Sequence, residues 1–337
     1  MTVLVTGGAG FIGAATVSSL IESGEQVVCV DNFNDYYNPG LKRKRIELLG
    51  KKTNLKVVEI DIAETAAVNE LINSIKPKKV IHLAAQAGIR QASIDPHSYG
   101  RTNLFGFLNV IEASAKSGVE NFVFASTSSV YGSNTTTPFS ESHTATHPVS
   151  LYSATKIANE AIAHSYAATY GLACTGLRFF TVYGPWGRPD MAPIKFAKSI
   201  ISGQKIQIYN NGNHSRDFTY IDDIVSGIRL VADRVAVSDP GFSRAVPSQG
   251  SSHVPWRVFN IGGENPIALM DFVSKLERVL NRKANVEFVT RQIGDMDKTS
   301  ADCSAIRKAT GWSPKVSLDE GLANLADWCE SNLDLLG

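Results

Sequence analysis

Four glycines fall within seven residues in Thr6-Gly7-Gly8-Ala9-Gly10-Phe11-Ile12-Gly13, directly after the apolar run Val3-Leu4-Val5 and before a helical pattern reaching Glu22. A strand that breaks at a glycine-rich turn and restarts as a helix presents bare backbone N–H groups at a positive helix N-terminus, where an anion is stabilised. Two registers fit: Gly8, Gly10 and Gly13 as G-x-G-x-x-G, or Gly7, Gly10 and Gly13 at every third position. In either register the missing side chains let the backbone approach a pyrophosphate, and Gly13 lets the helix pack close to the sheet. Asp31 follows the next β-branched run, 23 residues after Gly8. At that spacing a carboxylate accepts hydrogen bonds from the adenosine ribose hydroxyls and repels a 2′-phosphate. The combination predicts bound NAD rather than NADP.

Short apolar runs keep alternating with helical patterns. Strands are predicted at Thr2 to Val5, Gln26 to Val30, Leu55 to Ile60, Lys79 to Leu83, Asn121 to Ala125 and Leu172 to Leu177. Helices are predicted at Phe11 to Glu22, Ala66 to Ile75, Tyr99 to Ser117 and Leu151 to Tyr170. Such βαβ units build an α/β Rossmann fold, a doubly wound parallel sheet with its ligands at the carboxyl ends of the strands. Asp61, after the third strand, and Ala84-Ala85-Gln86, after the fourth, fall where adenine or ribose edges lie. After Phe180 the rhythm gives way to turns, indicating a smaller C-terminal α/β substrate-binding lobe. A helix near Asp222 to Ala232 and a strand near Arg257 to Ile261 return to the main sheet. The expected division is 1–180 plus 222–261 for the dinucleotide domain and 181–221 plus 262–337 for the second lobe, with Ser238 to Val254 as a surface loop.

Composition narrows the function classes. Lys and Arg number 33 against 32 Asp and Glu, a net charge of +1, so no nucleic-acid partner is expected. The basic run Lys42-Arg43-Lys44-Arg45 reads as a solvated helix face. The four cysteines, Cys29, Cys174, Cys303 and Cys329, lack C-x-x-C spacing and read as reduced thiols. No apolar run approaches the roughly 18 residues of a membrane span, and the chain opens without a charged n-region and cleavage site, so a cytoplasmic location and no membrane partner are expected. His143 and His147 stand four apart beside Glu141, but Pro148 breaks a helix there, and no metal is expected.

Tyr152-Ser153-Ala154-Thr155-Lys156 puts a phenol and an ammonium on one helix face. A phenol titrates near ~10, so a tyrosine acting as a base at neutral pH needs a positive charge nearby, and Lys156 is placed to supply it. The helix follows one strand after Ser126-Thr127-Ser128-Ser129.

With these residues the chain resembles, over nearly its whole length, the extended short-chain dehydrogenase/reductases, and among them the nucleotide-sugar epimerases. The resemblance implies Tyr152, Lys156 and Thr127 as the catalytic residues, the Thr127 hydroxyl orienting the sugar oxygen beside the phenol. It implies a cofactor site of Gly7, Gly10, Phe11, Ile12, Gly13, Asp31, Asn32, Asp61, Ile62, Ala84, Ala85, Gln86, Asn103, Ser126, Tyr152 and Lys156. It also implies oxidation of a sugar carbon by NAD to a ketone. Dehydratases of the group resemble S-T-D-E at the strand end and decarboxylases S-T-S-E, whereas this chain reads Ser126-Thr127-Ser128-Ser129. Without acidic side chains to drive elimination, the expected outcome is epimerisation, in which the keto sugar turns and takes the hydride back on its other face.

Three long stretches, 31–37, 82–88 and 178–191, resemble UDP-glucuronate 4-epimerases. The implied substrate is a UDP-sugar, UDP-glucuronate or UDP-galacturonate, and the implied assembly a homodimer; helix faces at Phe105, Leu108, Val110, Ile111 and Ala158 to Ile162 are either its seam or intramolecular core. Thr181, Ser128 and Ser129 offer hydroxyls to a sugar carboxylate. Arg188 is either its charged partner or part of a lid. Arg216 and Arg291 match arginines that grip the pyrophosphate, Asp295 is placed in the substrate site, and Lys205 to Tyr209 match the strand beside uracil. Tyr36 and Tyr37 are placed at the entrance, and Trp186 in loop packing. A 4-epimerase of neutral or N-acetylated UDP-sugars is the main alternative, and a catalytically idle NAD-binding sensor the second.

Overall fold

The computed structural model describes residues 1–291 and 296–336. Among them the strands are β1 (Thr2–Thr6), β2 (Gln26–Asp31), β3 (Leu55–Glu59), β4 (Lys79–His82), β5 (Asn121–Thr127), β6 (Cys174–Phe179), β7 (Thr181–Tyr183), β8 (Lys205–Tyr209), β9 (Ser215–Tyr220), β10 (Trp256–Ile261), β11 (Pro266–Ala268) and β12 (Asn285–Val289). Seven form one parallel sheet in the order β10-β6-β5-β4-β1-β2-β3. The winding reverses between β1 and β4, which opens a crevice at their carboxyl ends.

Side chains alternate across a strand, and that period sorts the core. Val3 and Val5 face the helices Phe11–Glu22 and Ile221–Ala232, while Leu4 faces Thr65–Ile75, Phe107–Lys116 and Leu151–Tyr170. Gly176 on β6 leaves room for a neighbouring ring, since a Cβ there would lie 2.8 Å from Phe124. The second lobe joins β7, β9 and β11 in one sheet and β8 with β12 in another. The helices Ala192–Ile201, Leu269–Leu280 and Leu318–Ser331 close over them around Ile206, Ile208, Phe272, Leu276 and Leu322.

Two expectations change and one open alternative closes. The helix expected from Tyr99 to Ser117 is broken: Pro96–Tyr99 leads into a π-helical segment, Gly100–Gly106, before Phe107–Lys116. Single π turns gather at functional sites, and this one carries the buried Asn103. Of the two readings of Val110 and Ile111, dimer seam or intramolecular core, the second holds: both are core residues. The basic run is not a solvated face either: Lys42 and Arg45 are buried, three residues apart, while Lys44 is half-buried and Arg43 exposed.

The helix Leu151–Tyr170 is defined at both ends. Ser150 and Ser153 cap each other reciprocally, and Gly171 closes it at φ 69°. One turn beyond Lys156, Glu160 accepts hydrogen bonds from Arg178 on β6, at 2.9 Å from Nε and 2.7 Å from a terminal nitrogen, and from Ser126 on β5 at 2.5 Å. Removing one partner of such a buried pair strands the other charge, so Glu160→Ala is expected to lower unfolding free energy by about 3–5 kcal/mol in urea titration. Lys116→Ala, which breaks only the exposed pair with Glu112, leaves the urea midpoint in place.

Candidate active site

The crevice widens into a cleft of about 1100 Å³ that runs from the glycine turn, past β5 and the helix Leu151–Tyr170, to the second lobe. Gly7, Gly10 and Gly13 line it; Gly8 does not. A Cβ at Gly8 would sit 2.4 Å from Cys29 Sγ, one at Gly13 2.0 Å from the Gly7 carbonyl, and one at Gly7, where φ is +68°, 2.6 Å from the Ala84 nitrogen. The every-third register is therefore the one that faces the cleft, while Gly8 serves packing. Asp31 closes this end. Its carboxylate accepts N–H bonds from Ala9 at 3.1 Å and Phe33 at 2.9 Å, with the Lys42 ammonium 3.9 Å away. Each oxygen keeps a lone pair for a ribose hydroxyl. A bare turn no side chain can enter, with a buried carboxylate one strand away, fits a dinucleotide.

Phe11, Ile12, Asn32, Ile62, Ala84, Ala85, Gln86, Ser126 and Lys156 also line the cleft. Asp61 and Asn103 do not. The Asp61 carboxylate, half-buried, is engaged by Arg101 at 3.0 Å and by the Ala63 N–H at 2.9 Å in a local turn. Asn103 stands behind the loop. Its oxygen accepts the Gln86 N–H at 2.8 Å and its nitrogen donates to the Gln86 carbonyl at 2.9 Å, so it fixes the backbone of residues that face the cofactor side. A matched position showed that the asparagine mattered but not which way its amide points.

At the centre, Tyr152 is half-buried and hydrogen-bonded to Thr127, the last residue of β5. The Thr127 Oγ1 in turn accepts the Ser129 N–H at 3.2 Å, holding the strand where it turns into the short helix Ser128–Tyr131. Burial raises the Tyr152 phenol above its ordinary value; the Arg188 guanidinium and the Thr127 hydrogen bond pull it back. The charge felt by the phenol is thus Arg188, not the Lys156 expected from the four-residue spacing. Lys156 is buried and donates to the Ala125 carbonyl at 2.9 Å. Burial brings its ammonium down to about 8, with Glu160 opposing the drop.

Ser128, Ser129, Thr181, Arg188 and Arg216 also line the cleft. Arg188 grips Asp190, Nε to Oδ1 at 3.0 Å and a terminal nitrogen to Oδ2 at 2.5 Å, and donates to the Ala87 carbonyl at 3.1 Å. Tyr36, whose ring lies 5.5 Å from that guanidinium, donates to the same carboxylate at 3.2 Å. Tyr99 donates to the Gly88 carbonyl at 2.7 Å and packs edge-on against Tyr152. Asp190 and Tyr99 escaped the sequence reading because no spacing rule links them to the phenol. Arg291 pairs with Asp297 at 3.1 Å, half exposed, and does not line the cleft. Asp295 lies outside the described residues. His143 accepts the Ser140 N–H, and Trp186 packs against Trp328 with ring centroids 5.1 Å apart.

Residues 3–243 match the model of the NAD dependent epimerase/dehydratase family. UDP-glucuronate 4-epimerase 4 of Arabidopsis thaliana is 44% identical over 334 residues, covering 97% of this chain and 75% of that protein. The crystal structure of UDP-glucuronic acid 4-epimerase from Bacillus cereus, in complex with UDP-glucuronic acid and NAD, superposes with a TM-score of 0.88 at 31% identity, covering 98% of this chain and 99% of that one. UDP-glucose 4-epimerase from Thermotoga maritima with UDP-glucose gives a TM-score of 0.86 at 30% identity, over 99% and 100%. The turn, the buried carboxylate behind it, the phenol on its capped helix and the match over most of the length agree, and the chain belongs to the NAD dependent epimerase/dehydratase family.

Proposed function

We infer that this protein is an isomerase that interconverts UDP-glucuronate and UDP-galacturonate by NAD-dependent 4-epimerisation. The observation that carries the reading is a strand end, Ser126 to Ser129, that brings hydroxyls and no carboxylate to a phenol facing Arg188. NAD, when bound, would supply the acceptor for hydride from C4 and its return to the opposite face, with no net redox change.

Gly7, Gly10 and Gly13 leave room for the pyrophosphate and Asp31 takes the adenosine ribose. Lys156 and Ser126 would hold the nicotinamide end. Tyr152, as phenolate, takes the O4 proton when C4 is oxidised and gives it back when the ketone is reduced. Thr127 donates to or accepts from the same oxygen and keeps it within reach. Arg188 stabilises the phenolate, and its fork suits a sugar carboxylate once that carboxylate competes with Asp190. Ser128, Ser129 and Thr181 hold the rest of the carboxylate. The 4-keto uronate is a β-keto acid, and fixing its carboxylate suppresses loss of carbon dioxide. Arg216 serves the diphosphate.

Tyr152→Phe is expected to lower turnover of UDP-glucuronate roughly 10²–10⁴-fold while NAD stays bound. Resolving the nucleotide sugars by anion-exchange chromatography checks it. Galacturonate as the main product supports the reading, whereas a pentose nucleotide, or preference for UDP-glucose in a substrate panel, overturns it.

The Lys156 ammonium sets the alkaline limit. A lysine lowered to about 8 is charged below that pH and neutral above it, so kcat/KM is expected to fall as pH rises through about 8. In Lys156→Met that descending arm is absent from the pH profile, on a lower plateau.

A homodimer in the cytoplasm completes the proposal. Phe105, Leu151 and Tyr170, on or beside the two helices Phe107–Lys116 and Leu151–Tyr170, are exposed apolar surface, which a second copy of this chain would cover. All four cysteines are buried and unpaired, which suits a reducing compartment, and no helix among the described residues is long and apolar enough to cross a membrane. Light scattering is expected to give twice the monomer mass, and Leu151→Glu to reduce it to one.

A further inference from the structure

Arg45 is buried, yet every partner of its guanidinium is a neutral oxygen. One terminal nitrogen donates to the Ala9 carbonyl at 3.1 Å, inside the glycine turn, and to the Tyr37 hydroxyl at 2.7 Å. The other donates to the Trp186 carbonyl at 2.6 Å and to the Gly187 carbonyl at 3.2 Å, and Nε also reaches the Trp186 carbonyl at 3.1 Å. All five N–H groups are thereby spent. A single side chain from the first domain thus holds the dinucleotide turn with one hand and the loop ahead of Arg188 with the other.

That loop needs holding. Trp186 sits at φ +63°, a left-handed conformation that a bulky residue adopts only when its surroundings impose it, and Gly184 two residues earlier sits at φ +145°. Two residues beyond Trp186 stands Arg188, the positive charge that acts on the Tyr152 phenol. A second route joins the same points: Tyr37 packs edge-on against Tyr36, and Tyr36 donates to Asp190, the partner of Arg188.

We propose that Arg45 is a positioning residue, pinning the loop 184–190 to the dinucleotide turn so that Arg188 faces the sugar side of the cleft. Arg45 stands behind the loop, touching neither the phenol nor the sugar position, and acts through Arg188. Lysine is no substitute, because three donors on one nitrogen cannot span carbonyls on both sides as the planar fork does.

Hydrogen exchange read by mass spectrometry on purified holoenzyme tests the proposal. In Arg45→Lys, amides of 184–191 are expected to exchange about tenfold faster, with the helix Leu151–Tyr170 unchanged. The substrate readout rests on the epimerase reading: the ratio of kcat/KM for UDP-glucuronate over UDP-glucose is expected to fall about tenfold, the KM for the acidic sugar carrying most of the change. Unchanged protection at 184–191, or loosening spread over the whole sheet, overturns the proposal. If the wild-type protein does not turn over UDP-glucuronate, the substrate reading fails while the exchange pattern still decides about Arg45. Should Arg45→Lys not fold, Tyr37→Phe, which removes a single acceptor, is expected to show a smaller rise confined to the same segment, and wild-type exchange there overturns the proposal.

Discussion

Charges taken out of water cost several kcal/mol each unless hydrogen bonds and opposite charge replace the lost hydration. Glu160 and Arg178 meet that demand with two parallel N–H···O contacts, the Ser126 hydroxyl on the same carboxylate and the Tyr131 hydroxyl on the guanidinium at 3.1 Å. The chain continues: Tyr131 donates to Asn260 at 2.6 Å, and the Asn260 N–H reaches Glu141 at 2.6 Å. The helix carrying Tyr152 and Lys156 is therefore tied to β5, β6 and β10 by groups that cannot shift singly without leaving one unsatisfied. Such a network is rigid because every alternative leaves a bare buried polar group.

The same demand explains how charge is distributed around the phenol. Lys156 lies one helical turn from Tyr152, but its ammonium is turned towards the Ala125 carbonyl and shares its surroundings with Glu160. Arg188 arrives from the second lobe and reaches the phenol from the sugar side. Positive charge therefore comes to the tyrosine from the second lobe, on a loop held by Arg45, while Lys156 belongs to the fixed frame behind it. Asp190 keeps Arg188 satisfied, so its guanidinium does not stand in the cleft without contacts.

What the sequence made legible has a common property: it is local. The glycine turn, the period-2 strands and the capped helix Leu151–Tyr170 depend on residues within a few positions of each other, and the strand and helix positions follow from them. What stayed illegible is set by side-chain direction across long separations. Nothing near Arg188 in sequence says that its charge reaches Tyr152. Asn103 and Asp61 belong to the right segments, but one amide turns to the Gln86 backbone and one carboxylate to Arg101. The run Lys42-Arg43-Lys44-Arg45 held a signal that charge composition hid. Positions 42 and 45 share a helix face, and that face is the buried one, so two cations sit inside, Lys44 lies at the boundary and Arg43 outside.

A sugar that is oxidised on one face and reduced on the other has to turn between the two events without leaving. Its anchor must then be far from the reacting carbon, and the contacts close to it must be exchangeable. The two ends of the cleft differ in that sense. The far end is lined by Arg216 and by Lys205, Ile206, Gln207 and Tyr209 of β8. Around Tyr152 the cleft is lined by Thr127, Ser128, Ser129 and Thr181, hydroxyls that both donate and accept and so satisfy a sugar oxygen presented from either side. An acid in their place would favour one protonation state and one orientation of the ring. A row of hydroxyls treats both orientations alike, and this is the property that a reaction running in both directions through a common ketone requires.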